Sequence, residues 1–322
     1  MTGIGRVAII GAGMAGLACA RLLADAGAEV VVLDKGRGLG GRIATRRGAY
    51  GAVDHGAVAL SAGGGACEHA PYTAGERAAF ADYLRAAASQ GAAEFWPPAG
   101  GWVGLPGMSG IVKPLARGLT VRGLCEVTGL ERLADGWHLQ GAEVPGEAFD
   151  QVVMAIPQPQ AMGLLAPWPA LQRELSAVQM HAVWTAMAWF AAPLPLQDDV
   201  IRPLAGPIAK AIRTSAKPGR GEGEAWVLHA DAAWTNAHLE LGKPEAAEVL
   251  LAPFFADMGL TAVAPLQLEG HRWRYGLTAT PLGRAFVRDE TIGLSVCGDW
   301  CLGDSACDAY VSGSALAAAM IQ

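Results

Sequence analysis

Charge is scarce in this chain. Asp, Glu, Lys and Arg make up only 17% of its 322 residues, against 52% apolar residues. That balance excludes a disordered or highly solvated polypeptide. A basic surplus is also missing. The formal net charge is −6, the wrong sign for a protein that grips a polyanion, so nucleic acid is not an expected partner. The first residues, Met1–Arg6, are too short and too polar for a secretory leader, and the apolar run from Val7 reads better as a first strand. With no leader and only six cysteines in a long chain, a reducing, cytoplasmic setting is the default. Cys297, Cys301 and Cys307 lie close together, but their spacing matches no common zinc pattern, so no metal is expected. Nucleophile elbows of the GxSxG type, HExxH helices and P-loops are absent too. The 43 glycines carry no triplet period, which excludes collagen-like structure.

One long stretch, Leu175 to Gln197, has no charged residue and is long enough to span a bilayer. It also holds Gln179, His181, Pro193 and Pro195, and its centre HAVWTAMAWF suits a buried strand. We read it as the interior of a water-soluble fold, with no membrane partner.

The length suits roughly two domains. Strand Arg6–Ile10, a Gly-rich turn, helix Ala15–Ala26 and strand Glu29–Leu33 form a β-α-β unit. Helices are expected over 75–90 and near 244–258, and two or three strands over 119–139 with a turn at Ala134-Asp135-Gly136. Further strands are expected at 151–156 and 294–297, before an Ala-rich final helix. A unit that opens at residue 1 and closes at 322 must be discontinuous. The expected division is 1–60, 110–160 and 285–322 for a cofactor domain, with 61–109 and 161–284 forming an inserted substrate domain.

Gly11-Ala12-Gly13-Met14-Ala15-Gly16 is GxGxxG set between strand and helix. Gly11 permits the tight turn, Gly13 lets a pyrophosphate approach the backbone, and Gly16 lets helix and strand pack closely. The amides of Met14 and Ala15 open the helix toward the anion. Asp34 ends the second strand, where a carboxylate can accept ribose hydroxyls, with Lys35 following. A second GxGxxG, Gly36 to Gly41, opens no β-α-β unit in that register. Its last two glycines begin Gly40-Gly41-Arg42-Ile43-Ala44-Thr45. Gly41 lets the backbone pass near the pyrophosphate, and Arg42 offers a planar charged fork to phosphate. Arg37, Arg46 and Arg47 read as solvated loop charges.

This GGRxxT continuation resembles that of the flavin amine oxidase superfamily. Five further segments extend the likeness to the bacterial renalase-like flavoproteins: Trp102–Ser109 (WVGLPGMS), Lys217–Arg220 (KPGR), Leu228-His229-Ala230 with Trp234, His271–Tyr275 (HRWRY) and Val296–Cys301 (VCGDWC). The resemblance implies a p-hydroxybenzoate-hydroxylase-like α/β architecture. A Rossmann-type FAD-binding domain would carry an inserted mixed-sheet α+β domain, with the flavin at their junction. It further implies that Val127 gives backbone hydrogen bonds to adenine and that Gly298 and Asp299 hold the ribityl and pyrophosphate end. Ala306 and Cys307 would open a helix aimed at the flavin N1/O2 edge, where reduced flavin is anionic. The covalent-flavin SGGC segment is absent, so FAD is expected to be noncovalent.

The implied activity is oxidation of a small-molecule hydride donor, such as a dihydro isomer of NAD(P), with O2 reduced to hydrogen peroxide. The alternatives are an amine oxidase- or desaturase-like enzyme on another donor, or a flavin-binding protein without turnover. His55, His229, Trp273 and Tyr275 are the candidate catalytic or pocket residues, with Trp234 also able to line the pocket. His271 reads as a satisfied strand residue. The chain departs from the group where Asp54-His55-Gly56-Ala57 continues into Val58-Ala59-Leu60-Ser61 rather than QYFT, where Lys210 replaces an aromatic, and where Ser305 replaces an Arg. The altered residues are expected on the donor side, favouring a more apolar donor, with Lys210 available to a phosphate or carboxylate.

Overall fold

The computed structural model describes residues 4–61, 73–202, 204 and 206–322. A Gly-rich loop is expected from the sequence at Ser61–Gly65, and its residues 62–65 lie outside them. Strand β1 (Arg6–Ile10) enters helix α1 (Met14–Asp25) through the glycine turn and returns as β2 (Glu29–Leu33). A hairpin β3 (Thr45–Gly48) and β4 (Gly51–Asp54) follows. Helix α2 (Ala74–Ser89) precedes a second hairpin, β5 (Ala93–Trp96) and β6 (Gly101–Gly104), then the short α3 (Lys113–Ala116) and β7 (Thr120–Arg122). A third hairpin, β8 (Gly129–Leu133) and β9 (Gly136–Gln140), leads to β10 (Gln151–Met154) and to α4 (Gln158–Leu164) and α5 (Pro169–Leu175). The chain then builds β11 (Gln179–Phe190), β12 (Val200–Ile201), β13 (Ile208–Arg213), β14 (Glu224–Ala230), α6 (Ala232–Ala237), α7 (Lys243–Asp257) and β15 (Gln267–Thr280). It closes with β16 (Phe286–Asp289), β17 (Leu294–Cys297) and α8 (Ala306–Ile321).

Two large sheets result. The first has the order β16-β17-β10-β1-β2-β7, parallel except for the edge strand β16. Its central strands are continuously apolar, as a parallel sheet covered on both faces requires. The second, β12-β13-β14-β11-β15, is antiparallel. The fold is therefore a Rossmann-like α/β unit with an additional antiparallel sheet, as expected. The uncharged run resolves into β11, the second sheet's inner strand, buried from Ala182 to Phe190. Its Trp184, Ala186, Ala188 and Phe190 pack on α7, while Met187 and Trp189 face Val53 of β4. Cover on both faces, not lipid, removes charge from this strand. Among the described residues no helix is long and apolar enough to cross a membrane.

The glycine turn is set by packing. Gly11 has φ +112°, and a Cβ there would lie 2.5 Å from the Ala155 carbonyl oxygen. A Cβ on Gly16 would fall 2.0 Å from the Gly11 carbonyl oxygen. The last helix crosses behind α1 at equally close range, since a Cβ on Gly313 would fall 2.1 Å from the Ala15 carbonyl oxygen. This sets a prediction. Gly313→Ala normally strengthens a helix interior by up to about 1 kcal/mol. Here it must push α8 off α1, so urea denaturation should show a net loss of about 1–3 kcal/mol; a gain would mean that the two helices part freely.

Candidate functional site

The first part of the site is a cradle between two glycine loops. A Cβ on Gly13 would meet nothing within 4 Å, and one on Gly41 would stand 3.8 Å from the Gly13 Cα. The loops thus lie against each other, tied by the Gly40 amide to the Ala12 carbonyl at 2.9 Å, with open space in front of Gly13. This bare backbone in front of α1 fits a pyrophosphate. Asp34 does more than the sequence suggests. One carboxylate oxygen accepts the Ala12 amide and the other the Gly36 amide, both at 2.6 Å, so it pins both glycine segments to the end of β2. A carboxylate has further lone pairs to offer a ribose hydroxyl. The Cys125 amide donates to the Asp34 carbonyl at 2.9 Å, which brings the half-buried Val127 segment alongside. Lys35 lies at the rim, 4.0 Å from Glu126.

Arg42 finds a partner that sequence reasoning did not supply. Its guanidinium donates to the buried Asp299 carboxylate and to the Gly276 carbonyl at 3.2 Å. It thereby joins the glycine loop to the C-terminal turn, where the Gly298 amide donates to Ser312 Oγ at 2.9 Å. Arg46, read as solvated, is paired with Glu269 at 3.0 Å. Ala306 and Cys307 do open α8, but Ser305 and Asp308 form a capping box over this end. The Asp308 carboxyl is raised by burial and by the neighbouring Asp304 and Asp299, so this helix start already faces acidic groups of its own chain.

A buried ion cluster lies beside the cradle. Asp54 Oδ2 accepts Lys217 Nζ at 3.0 Å, Arg220 Nε at 3.0 Å and Arg220 Nη2 at 2.6 Å. Its Oδ1 accepts the Thr45 hydroxyl at 2.7 Å and the Met108 amide at 3.0 Å. All three charged side chains are fully buried. Burial pushes the Asp54 carboxyl up, but Lys217 and Arg220 outweigh it and hold it below the usual carboxylate range. Burial in turn draws Lys217 down to about 8. Arg220 completes its bonding on the carbonyls of Gly104, Pro106 and Pro218. Two segments that carried the family resemblance, Trp102–Ser109 and Lys217–Arg220, therefore meet at Asp54, just before the chain departs from it.

Next to Asp54, His55 enters a row of polar side chains on the second sheet. Thr185 of β11 pairs in register with His229 of β14 and His271 of β15, and Lys210 of β13 pairs with His229. Cross-strand partners share a face, and this is the face turned to β4. The His55 ring stands 4.8 Å from His271 and 4.9 Å from Trp273, whose indole N–H donates to the His55 carbonyl at 2.9 Å. Tyr275, two residues on, is half-buried and lies where the register of β15 shifts between Trp273 and Leu277.

Four buried atoms in this group have no hydrogen-bond partner among the described residues: His55 Nδ1, His229 Nε2, His271 Nδ1 and Thr185 Oγ1. Each such atom costs about 1–3 kcal/mol unless something bonds to it. Burial, then the charges of His271 and Arg46, pull His55 down to about 3. Burial, then Arg46 and Lys243, pull His271 down to about 4. His229 is pulled well down by burial, Lys210 and Lys217. All three imidazoles are neutral at pH 7, each with one donor and one acceptor nitrogen.

Two expectations change here. His271 is not satisfied, because its Nδ1 is buried without a partner. Trp234 does not line this face. It stacks on His238 at 4.3 Å and packs with the α7 side of the sheet. Thr185 was missed altogether; a lone hydroxyl inside an uncharged strand was the available signal.

The row ends at a pocket of about 170 Å³, lined by Val58, Ala59, Val200, Arg202, Lys210 and Ile212 among others. Val58, Ala59, Ser61 and Lys210 thus share one cavity. Leu60 does not join them. It is 2% exposed and bridges to Trp102 by paired backbone bonds of 2.8 Å. No group of three or more potential metal ligands occurs among the described residues.

A family profile for NAD(P)-binding Rossmann-like domains matches residues 9–69. Among solved structures, the chain is similar to a provisionally named protoporphyrinogen oxidase from Exiguobacterium sp., with TM-score 0.69, 16% identity and 98% of each chain covered. It is also similar to a redesigned double variant of putrescine oxidase, with TM-score 0.68, 16% identity and 98% of each chain covered. Cyclohexylamine oxidase from Brevibacterium oxydans gives TM-score 0.66 at 14% identity, again over 98% of each chain. At these identities the likeness is one of fold.

Two predictions follow from the charges. Asp54→Asn leaves two buried cations without their counter-charge and should cost about 3–5 kcal/mol in urea denaturation. Adding Lys217→Met should recover part of the loss; a double variant less stable than the single one would show that the cluster is not the reason. The second concerns pH. His55 and His271 have folded values near 3 and 4 against an ordinary 6.5, so the unfolded chain binds more protons as pH falls. Their stabilising contribution is complete above about 6.5 and is lost from there toward 4. Asp54, lowered from 3.8, keeps its contribution until below that window. Melting temperature should therefore fall steadily from pH 6.5 to 4.5, and less steeply in His271→Gln.

Proposed function

We propose that the chain binds FAD noncovalently at the glycine cradle and serves as an oxidoreductase for a small-molecule hydride donor. The observation that carries this is the open space in front of Gly13, where two glycine segments meet and Asp34 pins both to the end of β2. In this reading Gly11–Gly16 and Gly41 hold the pyrophosphate, Asp34 the ribose, and Val127 the adenine. Gly298, Asp299 and the start of α8 at Ala306 and Cys307 hold the flavin end. Among the described residues Cys19, Cys125, Cys297 and Cys301 are buried and free. Burial raises the thiols of Cys19, Cys125, Cys297 and Cys301, so none is poised as a thiolate for attachment.

FAD held by these residues would supply hydride-accepting chemistry, with O2 as the final acceptor of two electrons and two protons to give hydrogen peroxide. The chain's own residues orient and shield. Neutral His55, His229 and His271 with Thr185 offer unpaired donors and acceptors to a polar ring, and Trp273 and Tyr275 supply an aromatic wall. The renalase-like motifs favour a dihydro isomer of NAD(P) as donor. The named activities of the putrescine and cyclohexylamine oxidases favour an amine as the second reading.

Purified protein should be yellow and release FAD on denaturation. Gly13→Leu should leave stability unchanged, since the added side chain enters open space, yet abolish FAD uptake. A colourless protein that takes up no FAD on reconstitution would sink the proposal. Anaerobic mixing then separates the donors, by flavin bleaching with dihydro-NAD isomers or with amines.

A further inference from the structure

The pocket at the end of the polar row carries a sign. Lys210 and Arg202 both line it, and among the described residues no carboxylate does. Among the described residues neither cation has an ion-pair partner within 4 Å. Asp304 acts on Lys210 only through its field, against burial and the repulsion of Arg202. The remaining walls are apolar or small: Val58, Ala59, Val200 and Ile212, with the Ala99–Gly101 turn. Two cations that share an apolar cavity are short of negative charge. Each would form charge-assisted hydrogen bonds to an anion, and the same field repels an ammonium group.

We infer that this pocket binds a compact organic anion, with its carboxylate or phosphate between Lys210 and Arg202 and its apolar body against Val58, Ala59, Val200 and Ile212, and that it rejects protonated amines of the same shape. Lys210 sits in register with His229, so the far end of such a molecule is directed along the histidine row. That the anion is the hydride donor rests on the flavin reading above; that the pocket binds it does not. The arrangement assigns specificity to charge, in contrast to what the names of the amine oxidases of similar fold suggest.

The test uses three probes of similar size and opposite charge: cyclohexanecarboxylate, phenyl phosphate and cyclohexylammonium, titrated calorimetrically into the protein as purified. The expected result is binding of at least one anion, weakening with added salt, and no measurable binding of the ammonium. The ranking of the two anions tells which acid group the pocket prefers. Lys210→Met should weaken the anion roughly ten- to a hundred-fold. Arg202→Gln, at an exposed position, should weaken it less and serves as the second variant if Lys210→Met does not fold by circular dichroism. Ammonium binding as tight as that of the anions overturns the inference, as does anion affinity unchanged in both variants. The two readings fail separately. A yellow protein that binds neither anion overturns the pocket and leaves the flavin proposal standing, whereas a protein that takes up no flavin yet binds the carboxylate does the reverse.

Discussion

Much of this molecule hangs on one buried carboxylate. Asp54 stands at the end of β4 with two cations and two neutral donors around it, all out of water. Isolated, any of these charges would be too costly to bury, and together they stand only while all stay in place. The cluster thus acts as a fixed point. It draws the segment after β13 onto the β3–β4 hairpin and clamps the Gly104–Met108 loop through Arg220. It also sets the next residue, His55, against the inner face of the second sheet. A small shift of Asp54 would move the glycine loop too, because the Ala57 amide donates to the Arg42 carbonyl at 2.9 Å and Gly56 has no room for a Cβ against the same oxygen.

The first sheet and the cradle were legible from sequence because their signals are local. Glycines at fixed offsets, an apolar strand before them and an acid after the second strand all lie within one β-α-β unit. The inner strand β11 was legible from its length, its prolines and its aromatics. The Asp54 cluster was not legible. Its members lie far apart along the chain, and a buried ion pair leaves no periodicity to read. For the same reason Arg42 was assigned to a phosphate, while its nearest carboxylate, Asp299, comes from the other end of the chain. His271 and Thr185 were misjudged or missed because satisfaction of a polar atom is a property of three-dimensional neighbours. The motif segments did not reveal which of their residues hold the fold and which face the cavity.

The second sheet divides its labour by face. Toward α7 it presents Trp184, Trp226, Leu228 and Phe190, a closely packed apolar surface that needs no specificity. Toward the cradle it presents one transverse polar row in otherwise apolar surroundings. Alternation along a strand makes this possible at no cost to the outer face, since each polar side chain sits between two residues that point the other way. Keeping three imidazoles uncharged in the presence of Arg46, Lys210 and Lys217 follows from burial and from the like sign of those neighbours.

The seating of α8 beneath α1 has a temporal meaning. Residues 294–321 supply a strand inside the first sheet, the partner of Arg42 and the helix that backs Ala15. While a ribosome is still short of them, the early β-α-β unit has one open flank, and Arg42 lacks its carboxylate partner. Contacts between segments so distant in sequence form slowly, because loop closure must precede their reward. The second sheet, whose strands lie within 179–280, is finished first. A nascent chain therefore holds every strand of the second sheet before it holds the last strand of the first.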